Sequence, residues 1–205
     1  MAKKVDHDRR RREIAARALR LFSRVGFNDV SFNMIAGDCG VSRTTLYQYF
    51  GSKREILDAA ILSATGEMRA RCRPAVARRG PVGEKVEAVC HAVIDVLFEN
   101  RDFLVAVFGF IFGQVRTGNA MNGPIVGFTS GVRETLARLL AHGCERGEFA
   151  SGLDVGRAVD VLYAVIESSA LRLVFGLESD ATAAHRRLAA IVRAVSVKKG
   201  DDRWK

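Results

Sequence analysis

Prolines and alternating strand patterns are scarce in this sequence. Only three prolines occur in 205 residues, and β-branched residues rarely alternate with polar ones. Proline interrupts helices, whereas strict alternation of apolar and polar residues marks a half-buried strand. The sequence therefore predicts an all-α fold.

Long apolar runs are also missing. The longest strongly apolar stretch without a charge runs from Phe103 to Val115 and has 13 residues, whereas a membrane-spanning helix needs about 20. The N-terminal segment MAKKVDHDRRRR has no apolar stretch behind its charges, unlike a secretory signal. We therefore expect a cytoplasmic protein with no membrane partner.

The residues of catalytic and metal sites are few and scattered. The four cysteines stand alone, without a C-x-x-C pair, which is typical of reduced thiols in the cytoplasm. The four histidines lie far apart in sequence, and no nucleophile signature, metal-ligand spacing or glycine-rich phosphate loop accompanies them. These absences argue against an enzyme, a metal site and a cofactor.

The positive charge is concentrated at one end of the chain. The formal net charge is +9; residues 1–54 hold 12 Lys and Arg against 5 Asp and Glu, whereas residues 55–205 hold 20 against 18. An excess confined to one segment is expected where that segment meets a polyanion. A basic segment that serves only solubility is the alternative.

The first quarter of the chain shows a helix-turn-helix pattern. A helix with apolar residues at helical spacing ends at Gly26, Ser31 is placed as the cap of a second helix, and Gly40 forms a tight turn before Ser42 caps a third. Ser52-Lys53-Arg54-Glu55 is a capping box that opens a long helix toward Pro74, where we expect an end or a kink. Two short helices joined by a glycine turn are typical of helix-turn-helix proteins.

Apolar residues recur at helical spacing through the rest of the chain. Further helices are predicted after Gly80-Pro81, over Arg101 to Val115, from Pro124 to about His142, from Asp154 to about Phe175, and from Asp180 to near Val197. Because Arg101 to Val115 is apolar nearly all round, we expect that helix to be buried on most sides. The total is about nine helices.

The stretch SRTTLYQYF, residues 42–50, combines a polar start with three aromatic rings. At about 100° per residue, Arg43, Thr44, Tyr47 and Gln48 share one arc of roughly 140°, and Leu46 points the opposite way. Arginine can pair with guanine, glutamine with adenine, and the threonine methyl group can contact thymine. Hydroxyl groups can donate hydrogen bonds to phosphates, which fix register rather than sequence.

The segment from Gly26 to Leu57 resembles the N-terminal domain of TetR-family transcriptional regulators. The resemblance rests on the string GVS-x-x-T-L-Y-x-Y/H-F-x-S-K, which matches Gly40 to Lys53, and covers about residues 10–60. It implies that helix 42–48 enters the major groove, that Arg43, Thr44 and Thr45 approach bases, and that Tyr47, Tyr49 and Lys53 hold phosphates. The expected DNA-binding residues are Ser31, Ser42, Arg43, Thr44, Thr45, Tyr47, Gln48, Tyr49 and Lys53.

Two alternatives stay open in the first quarter of the chain. Tyr49 has the residue type of half-buried packing, with its hydroxyl group bonded locally. The run Arg9 to Arg12 can lie along phosphates, reach a minor groove, or form a free solvated tail.

The remaining residues are expected to serve dimerisation and sensing. One recognition helix reads few base pairs, so specific repressors bind two half-sites as a symmetric dimer. Small and aliphatic residues alternate along the last two helices and suit a four-helix dimer interface, which the resemblance also implies. The predicted dimer residues are Ala158, Val161, Leu162, Val165, Ser169, Leu188, Ile191, Val192 and Val195. An intramolecular core face is the alternative.

Phenylalanines cluster in the middle of the chain, where half of the twelve fall within 31 positions among several glycines. Apolar walls with a few polar groups are typical of small-molecule pockets, although a Phe stripe can equally be core. TetR-like proteins commonly bind an inducer in this region, so we expect a site for a small apolar or aromatic ligand. Its predicted lining is Met68, Cys72, Cys90, Phe98, Phe103, Phe108, Phe112 and Phe128, with a polar partner left open among His91, Arg101, Gln114, Asn119 and Glu167.

The combined prediction is a ligand-responsive repressor. Residues 1–54 form a three-helix helix-turn-helix domain, residues 55–197 a helical ligand-binding and dimerisation bundle, and residues 198–205 a disordered tail. The homodimer binds a palindromic double-stranded DNA operator and is released by a small-molecule inducer. The alternatives are an architectural DNA-binding protein without a ligand and an enzyme that uses the apolar pocket.

Overall fold

The computed structural model of the protein describes residues 2–118, 123–150 and 152–196. Over these residues it contains nine α-helices and no strand. They are α1 Ala2–Val25, α2 Phe32–Cys39, α3 Arg43–Tyr47, α4 Lys53–Ala77, α5 Val82–Glu99, α6 Arg101–Arg116, α7 Pro124–Glu145, α8 Val155–Val174 and α9 Thr182–Val195. The all-α prediction with about nine helices is confirmed, and the predicted tail 198–205 lies outside the described residues.

Polar caps start the helices where the sequence predicts them. The side chains of Ser31, Ser42 and Asp154 accept hydrogen bonds from the backbone N–H groups three residues ahead, at Met34, Thr45 and Arg157. Each bond satisfies a donor that has no partner inside the helix. The starts of α2, α3 and α8 are therefore fixed by local chemistry.

Two glycines end helices in the N-terminal segment. Gly26 follows α1 with a φ of 96°, and Gly40 caps α2 with a φ of 65°. A side chain is strained at such angles, which glycine adopts without a steric penalty. Both predicted stops are confirmed.

Helix α4 passes its proline, so the expected end at Pro74 is wrong, whereas the alternative of a kink there stays a prediction. Pro74 lies inside α4, which continues to Ala77. Proline removes one backbone hydrogen bond from a helix. Only three residues follow it here, so the last turn is kept despite the missing bond.

The chain divides into two compact units. The first contains Met1–Glu67 and Asn100–Phe128, and the second contains Met68–Glu99 and Thr129–Lys205. Helix α6 therefore belongs with the helix-turn-helix segment, whereas the sequence suggested a boundary after residue 54. Helices α4 and α7 continue from one unit into the other.

The core of the first unit is built from α1–α4 and α6. Helix α1 packs against α2 and α6. The fully buried side chains include Ile14, Phe22, Ile35, Leu46 and Ile56, and α6 adds Ala106, Val107 and Phe110 to the same cluster. Large apolar side chains closed off from water supply most of the stabilisation of such a module.

Helix α6 is less buried than its composition predicts. Leu104, Ala106, Val107 and Phe110 are buried, whereas Phe112 and Val115 are 56% and 65% exposed. The expectation of burial on most sides is therefore wrong. An apolar composition favours burial, but α6 packs against the core through one face only. The apolar side chains on its other faces therefore stay exposed.

In the second unit α5, α8 and α9 pack against one another. Glu178, whose side chain is only 9% exposed, pairs with Arg172 at 2.6 Å and with Arg187 at 2.8 Å. The hydrogen bond from Arg187 is the main cause that lowers the pKa of Glu178. Arg187 also donates to Ser169 on α8 at 3.1 Å, so this network joins α8, the segment after it and α9.

A glycine of α7 permits a close approach within the second unit. A Cβ added at Gly143 would overlap ring atoms of the buried Phe149. We expect Gly143→Ala to lower the free energy of unfolding by about 1–2 kcal/mol, because overpacking costs about 1–3 kcal/mol and the lost backbone freedom returns less than about 1 kcal/mol. Urea denaturation measures the change.

Gly131 on the same helix provides the matched control for that experiment, since a Cβ there meets no atom within 4 Å. Gly131→Ala should leave stability unchanged or raise it by about 0.4–1 kcal/mol. A similar loss in both variants would mean that the contact with Phe149 is not the cause.

Candidate nucleic-acid interface

The turn between α2 and α3 is closed by backbone bonds and by an arginine. The N–H of Val41 donates to the carbonyl of Ala36 at 3.0 Å, which completes the reversal at Gly40. The guanidinium of Arg17 on α1 donates to the carbonyl of Asp38 at 2.8 Å. The start of α3 is thereby held against the rest of the module.

Helix α3 has a buried side and an exposed side. Leu46 is fully buried and is the only buried residue of this five-residue helix. Arg43, Thr44, Tyr47 and Gln48 are all exposed, as the helical arc predicts. The side chains suited to base edges therefore face outward, and their role in DNA binding stays a prediction.

A row of stacked side chains crosses from α2 to α3. The rings of Phe32 and Tyr47 are stacked with centroids 4.7 Å apart and planes inclined by 20°. The guanidinium carbon of Arg43 lies 5.5 Å from the centre of the Tyr47 ring, and its Nη2 donates to the Tyr47 hydroxyl group at 3.2 Å. Sequence reasoning missed Phe32, because nothing in the helical wheel of α3 shows which α2 residue lies beside Tyr47.

The predicted hydroxyl contacts are already used in caps. Ser31 Oγ accepts from the N–H of Met34 at 3.2 Å. Ser42 Oγ accepts from the N–H of Thr45 at 3.0 Å and shares a hydrogen bond with Thr45 Oγ1 at 2.8 Å. These groups order the ends of α2 and α3, and any phosphate contact would be additional.

Tyr49 is packed locally. Its ring stacks on His7 of α1 with centroids 4.6 Å apart, and its carbonyl accepts a hydrogen bond from Arg11 at 2.9 Å. Arg11 also lies over the ring of Phe50, 4.4 Å from its centre. The half-buried alternative for Tyr49 therefore describes its surroundings better than free exposure does.

Lys53 is engaged inside the module. Its Nζ donates to the carbonyls of Phe27 and Asn28 at 2.8 and 2.9 Å, and it lies 5.1 Å from the centre of the Phe27 ring. Desolvation lowers the pKa of this ammonium group. Two of the three N–H donors of Lys53 therefore bind carbonyls in the turn after α1. The third N–H donor is left for a phosphate.

The arginine run forms part of α1. Arg9 pairs with Asp6 and Glu13, and Arg10 pairs with Glu13, all through exposed or half-exposed side chains. Exposed pairs of this kind are worth little in water. Their guanidinium groups can therefore exchange these partners for phosphates at small cost.

The predicted ligand residues are split between the units. Phe103, Phe108, Phe112 and Phe128 belong to the first unit, where Phe103 packs against the core and Phe112 is exposed. Met68, Cys72, Cys90 and Phe98 belong to the second, where Met68 and Cys90 are buried. One pocket formed by all eight stays a prediction, and Asn119 lies outside the described residues.

The thiols of the predicted ligand site are poor nucleophiles. Burial raises the pKa of Cys72, and burial together with the nearby Cys72 raises the pKa of Cys90 to about 12. The thiolate is the reactive form of cysteine. Both thiols therefore stay protonated at neutral pH.

Two histidines that are distant in sequence meet in the second unit. The rings of His91 on α5 and His185 on α9 have centroids 4.1 Å apart, and Nε2 of His185 lies 2.9 Å from Asp95 Oδ1. Burial and His185 lower the pKa of His91. Over the described parts of the chain, no group of three or more His, Cys, Asp or Glu side chains is arranged to hold a metal ion.

The dimer prediction needs a correction. Ala158, Leu162, Ser169, Leu188 and Val192 are buried inside the chain itself, because α8 and α9 pack on α5 and on each other. This is the intramolecular alternative. The accessible members of the predicted set are Val161, which is 49% exposed, and the half-buried Val165, Ile191 and Val195.

The helix-turn-helix segment matches a known family. The family model for bacterial regulatory proteins of the tetR family matches residues 14–60, which include α2, α3 and the first part of α4. Over these residues the chain is similar to the TetR family. The match covers the buried anchor and the exposed residues of α3.

A curated relative supports the assignment. The HTH-type transcriptional regulator BetI of Agrobacterium fabrum is 33% identical over 94 residues, which are 46% of this chain and 44% of BetI. The matched stretch thus spans less than half of that relative. This relative is a transcriptional regulator, which favours a regulator over the enzyme alternative.

Solved structures of transcriptional regulators have a similar fold. A TetR regulator from Chloroflexus aurantiacus has a TM-score of 0.76 and 20% identity, with 97% of this chain and 100% of that one covered. FadR from Bacillus subtilis, solved in complex with stearoyl-CoA, has a TM-score of 0.73 and 20% identity over 87% of this chain and 95% of its own. At such identities the likeness shows the fold alone. Over the described residues, no helix is long and apolar enough to cross a membrane.

Proposed function

We propose that this chain is a TetR-family regulator and acts as a cytoplasmic repressor. It binds a palindromic operator as a homodimer, and it dissociates from the operator when a small apolar or aromatic inducer binds. The observation that carries the proposal is the construction of α3. Leu46 anchors the helix, while Arg43, Thr44, Tyr47 and Gln48 stay exposed on its other side. These residue types can pair with guanine, adenine and the thymine methyl group.

Side chains that can bind phosphates lie next to the exposed side of α3. In this proposal Tyr47 and the remaining N–H of Lys53 contact phosphates, and Ser42 contributes a hydroxyl group at the start of α3. Thr45 is half-buried with its hydroxyl group bonded to Ser42, so its methyl group is the part left for a base. Phosphate contacts fix register, and base contacts supply selectivity.

The homodimer is proposed because a single five-residue recognition helix reads too few base pairs. Two half-sites separated by one turn of DNA require two copies with matching symmetry. Exposed apolar side chains on and after α8, namely Val161, Phe175 and Leu177, offer surface for a second copy. Burial of such residues gives association its driving force.

The proposed inducer is apolar, in keeping with the phenylalanines of the middle helices and with the stearoyl-CoA bound by the FadR of similar fold. Helix α4 begins beside the recognition helix and continues into the unit that holds Met68 and Cys72. We propose that ligand binding shifts α4 and thereby the separation of the two recognition helices. A ligand acts in this way only if it prefers one of the two states.

The experiment that tests the function is selection of DNA from a random library by the purified full-length protein. We expect enrichment of one palindromic fragment, bound in a gel shift by a dimer, and release of that fragment by an apolar compound found in a thermal-shift screen. Enrichment without any sequence preference would support an architectural DNA-binding protein instead. Selection of a single half-site by a monomer would exclude the proposed dimer.

A further inference from the structure

The stack that joins α2 to α3 reaches from the core to the proposed base-reading arginine. Phe32 is half-buried and packs against the core cluster of the first unit. Its ring lies on that of Tyr47, with centroids 4.7 Å apart. Tyr47 in turn contacts Arg43 through its ring, at 5.5 Å, and through its hydroxyl group, at 3.2 Å. Phe32 thus connects to Arg43 through the ring of Tyr47.

Arg43 and Tyr47 need such support because both are exposed. Tyr47 is 48% exposed, and an exposed arginine on a helix has many rotamers of similar energy. Ordering such a side chain on binding has an entropic cost that a preorganised side chain avoids. Ring stacking and a cation over a ring both favour one arrangement, since each depends on orientation.

The guanidinium group of Arg43 can still pair with a base while it contacts Tyr47. A guanidinium group carries five N–H donors, and one of them is given to the Tyr47 hydroxyl group. Four donors are left, and bidentate pairing with a guanine needs two. The contact with Tyr47 therefore leaves Arg43 able to hydrogen-bond to a base and restricts the orientation of its guanidinium group.

We propose that Phe32 is a positioning residue for sequence recognition, which orients Arg43 through the ring of Tyr47. The inference rests on the proposed function, since it assumes that Arg43 reads a base. It adds a side chain of α2 to the determinants of selectivity. An aliphatic side chain at this position could fill the same space in the core, but it would offer Tyr47 no ring to stack on.

The first test uses the free protein and needs no operator. NMR relaxation of the Arg43 Nε–H group measures its order in wild type, Phe32→Leu and Phe32→Tyr. We expect the group to be ordered in wild type, mobile in Phe32→Leu and ordered again in Phe32→Tyr, which restores the ring. Equal order of Arg43 in wild type and Phe32→Leu would overturn the proposal.

A second variant removes the middle of the stack without touching the core. Tyr47→Leu changes an exposed side chain, so folding is retained even if Phe32→Leu proves unstable. It should free Arg43 to the same extent as Phe32→Leu does. An Arg43 that stays ordered in Tyr47→Leu would show that the stack does not hold it.

The binding test measures the ratio of affinities for the selected fragment and for a fragment with the preferred bases scrambled. We expect Phe32→Leu to reduce this ratio by about 3- to 10-fold, the factor that corresponds to the cost of ordering one long side chain. Phe32→Tyr should restore the ratio. The salt slope on scrambled DNA should stay near wild type, because it does not depend on where Arg43 points, and thermal unfolding checks that each variant is folded at the temperature of the binding test.

A double-mutant cycle separates positioning from a structural effect. If Phe32 acts through Arg43, Phe32→Leu should lower selectivity in wild type and have little further effect in Arg43→Ala. Additive losses would overturn the proposal. A wild-type protein that selects no fragment would contradict the proposed function instead, and the NMR result would still decide whether Phe32 orders Arg43.

Discussion

Replacing Leu46 with alanine is expected to lower the free energy of unfolding of the first unit by about 2–5 kcal/mol. Leu46 is fully buried and is the only buried side chain of α3. A helix of five residues has no stability of its own, because nucleation is unfavourable and few hydrogen bonds repay it. The loss should appear in urea denaturation and as faster hydrogen exchange over residues 42–50.

The same substitution at Leu62 is the control. Leu62 lies on α4 in the same unit and is 59% exposed. Leu62→Ala should change stability by no more than about 0.5 kcal/mol, as exposed positions usually do. Comparable destabilisation in the two variants would mean that α3 is not held by Leu46.

Replacing Arg43 with alanine is expected to cost about 1–3 kcal/mol of binding free energy on the selected operator and to relax the preference at one base pair. On scrambled DNA the loss should be smaller, because a base reader contributes little where its base is absent. Stability should be unchanged, since Arg43 is exposed and contacts only Tyr47 among its described partners. Gel-shift titrations on both fragments measure the difference.

Arg138, an exposed arginine on α7 in the second unit, provides the control for charge. Arg138→Ala removes the same charge without changing the recognition module, so it should leave the preference intact. Equal losses for Arg43→Ala on operator and scrambled DNA would assign Arg43 to a phosphate rather than to a base.

The parts of the fold that depend on residues close together in sequence could be predicted from the sequence. Ser31, Ser42 and Asp154 cap helices because their side chains reach an N–H group three residues away. Gly40 ends α2 because a tight left-handed turn favours glycine. The two sides of α3 follow from the period of the helix and from one apolar residue among polar ones.

The parts that depend on distant contacts could not be predicted. Periodicity shows that α8 and α9 each have an apolar face, but it does not show whether that face packs on α5 or on a second copy, so five core residues were assigned to a dimer. The carbonyls that hold Lys53 lie 25 and 26 residues earlier in the chain. Similarly, the contact of Phe32 with Tyr47 depends on how α2 and α3 pack, which no single helical wheel contains.

The segment 43–48 combines one buried anchor with four exposed side chains, which has a consequence for how such proteins diversify. Under the proposed function, Arg43, Thr44, Tyr47 and Gln48 can be exchanged to acquire a new operator while Leu46 keeps the helix in place. Substitutions at exposed positions rarely change stability by more than about 0.5 kcal/mol. A duplicated copy of this regulator can therefore change its target genes through a few substitutions that leave its folding intact.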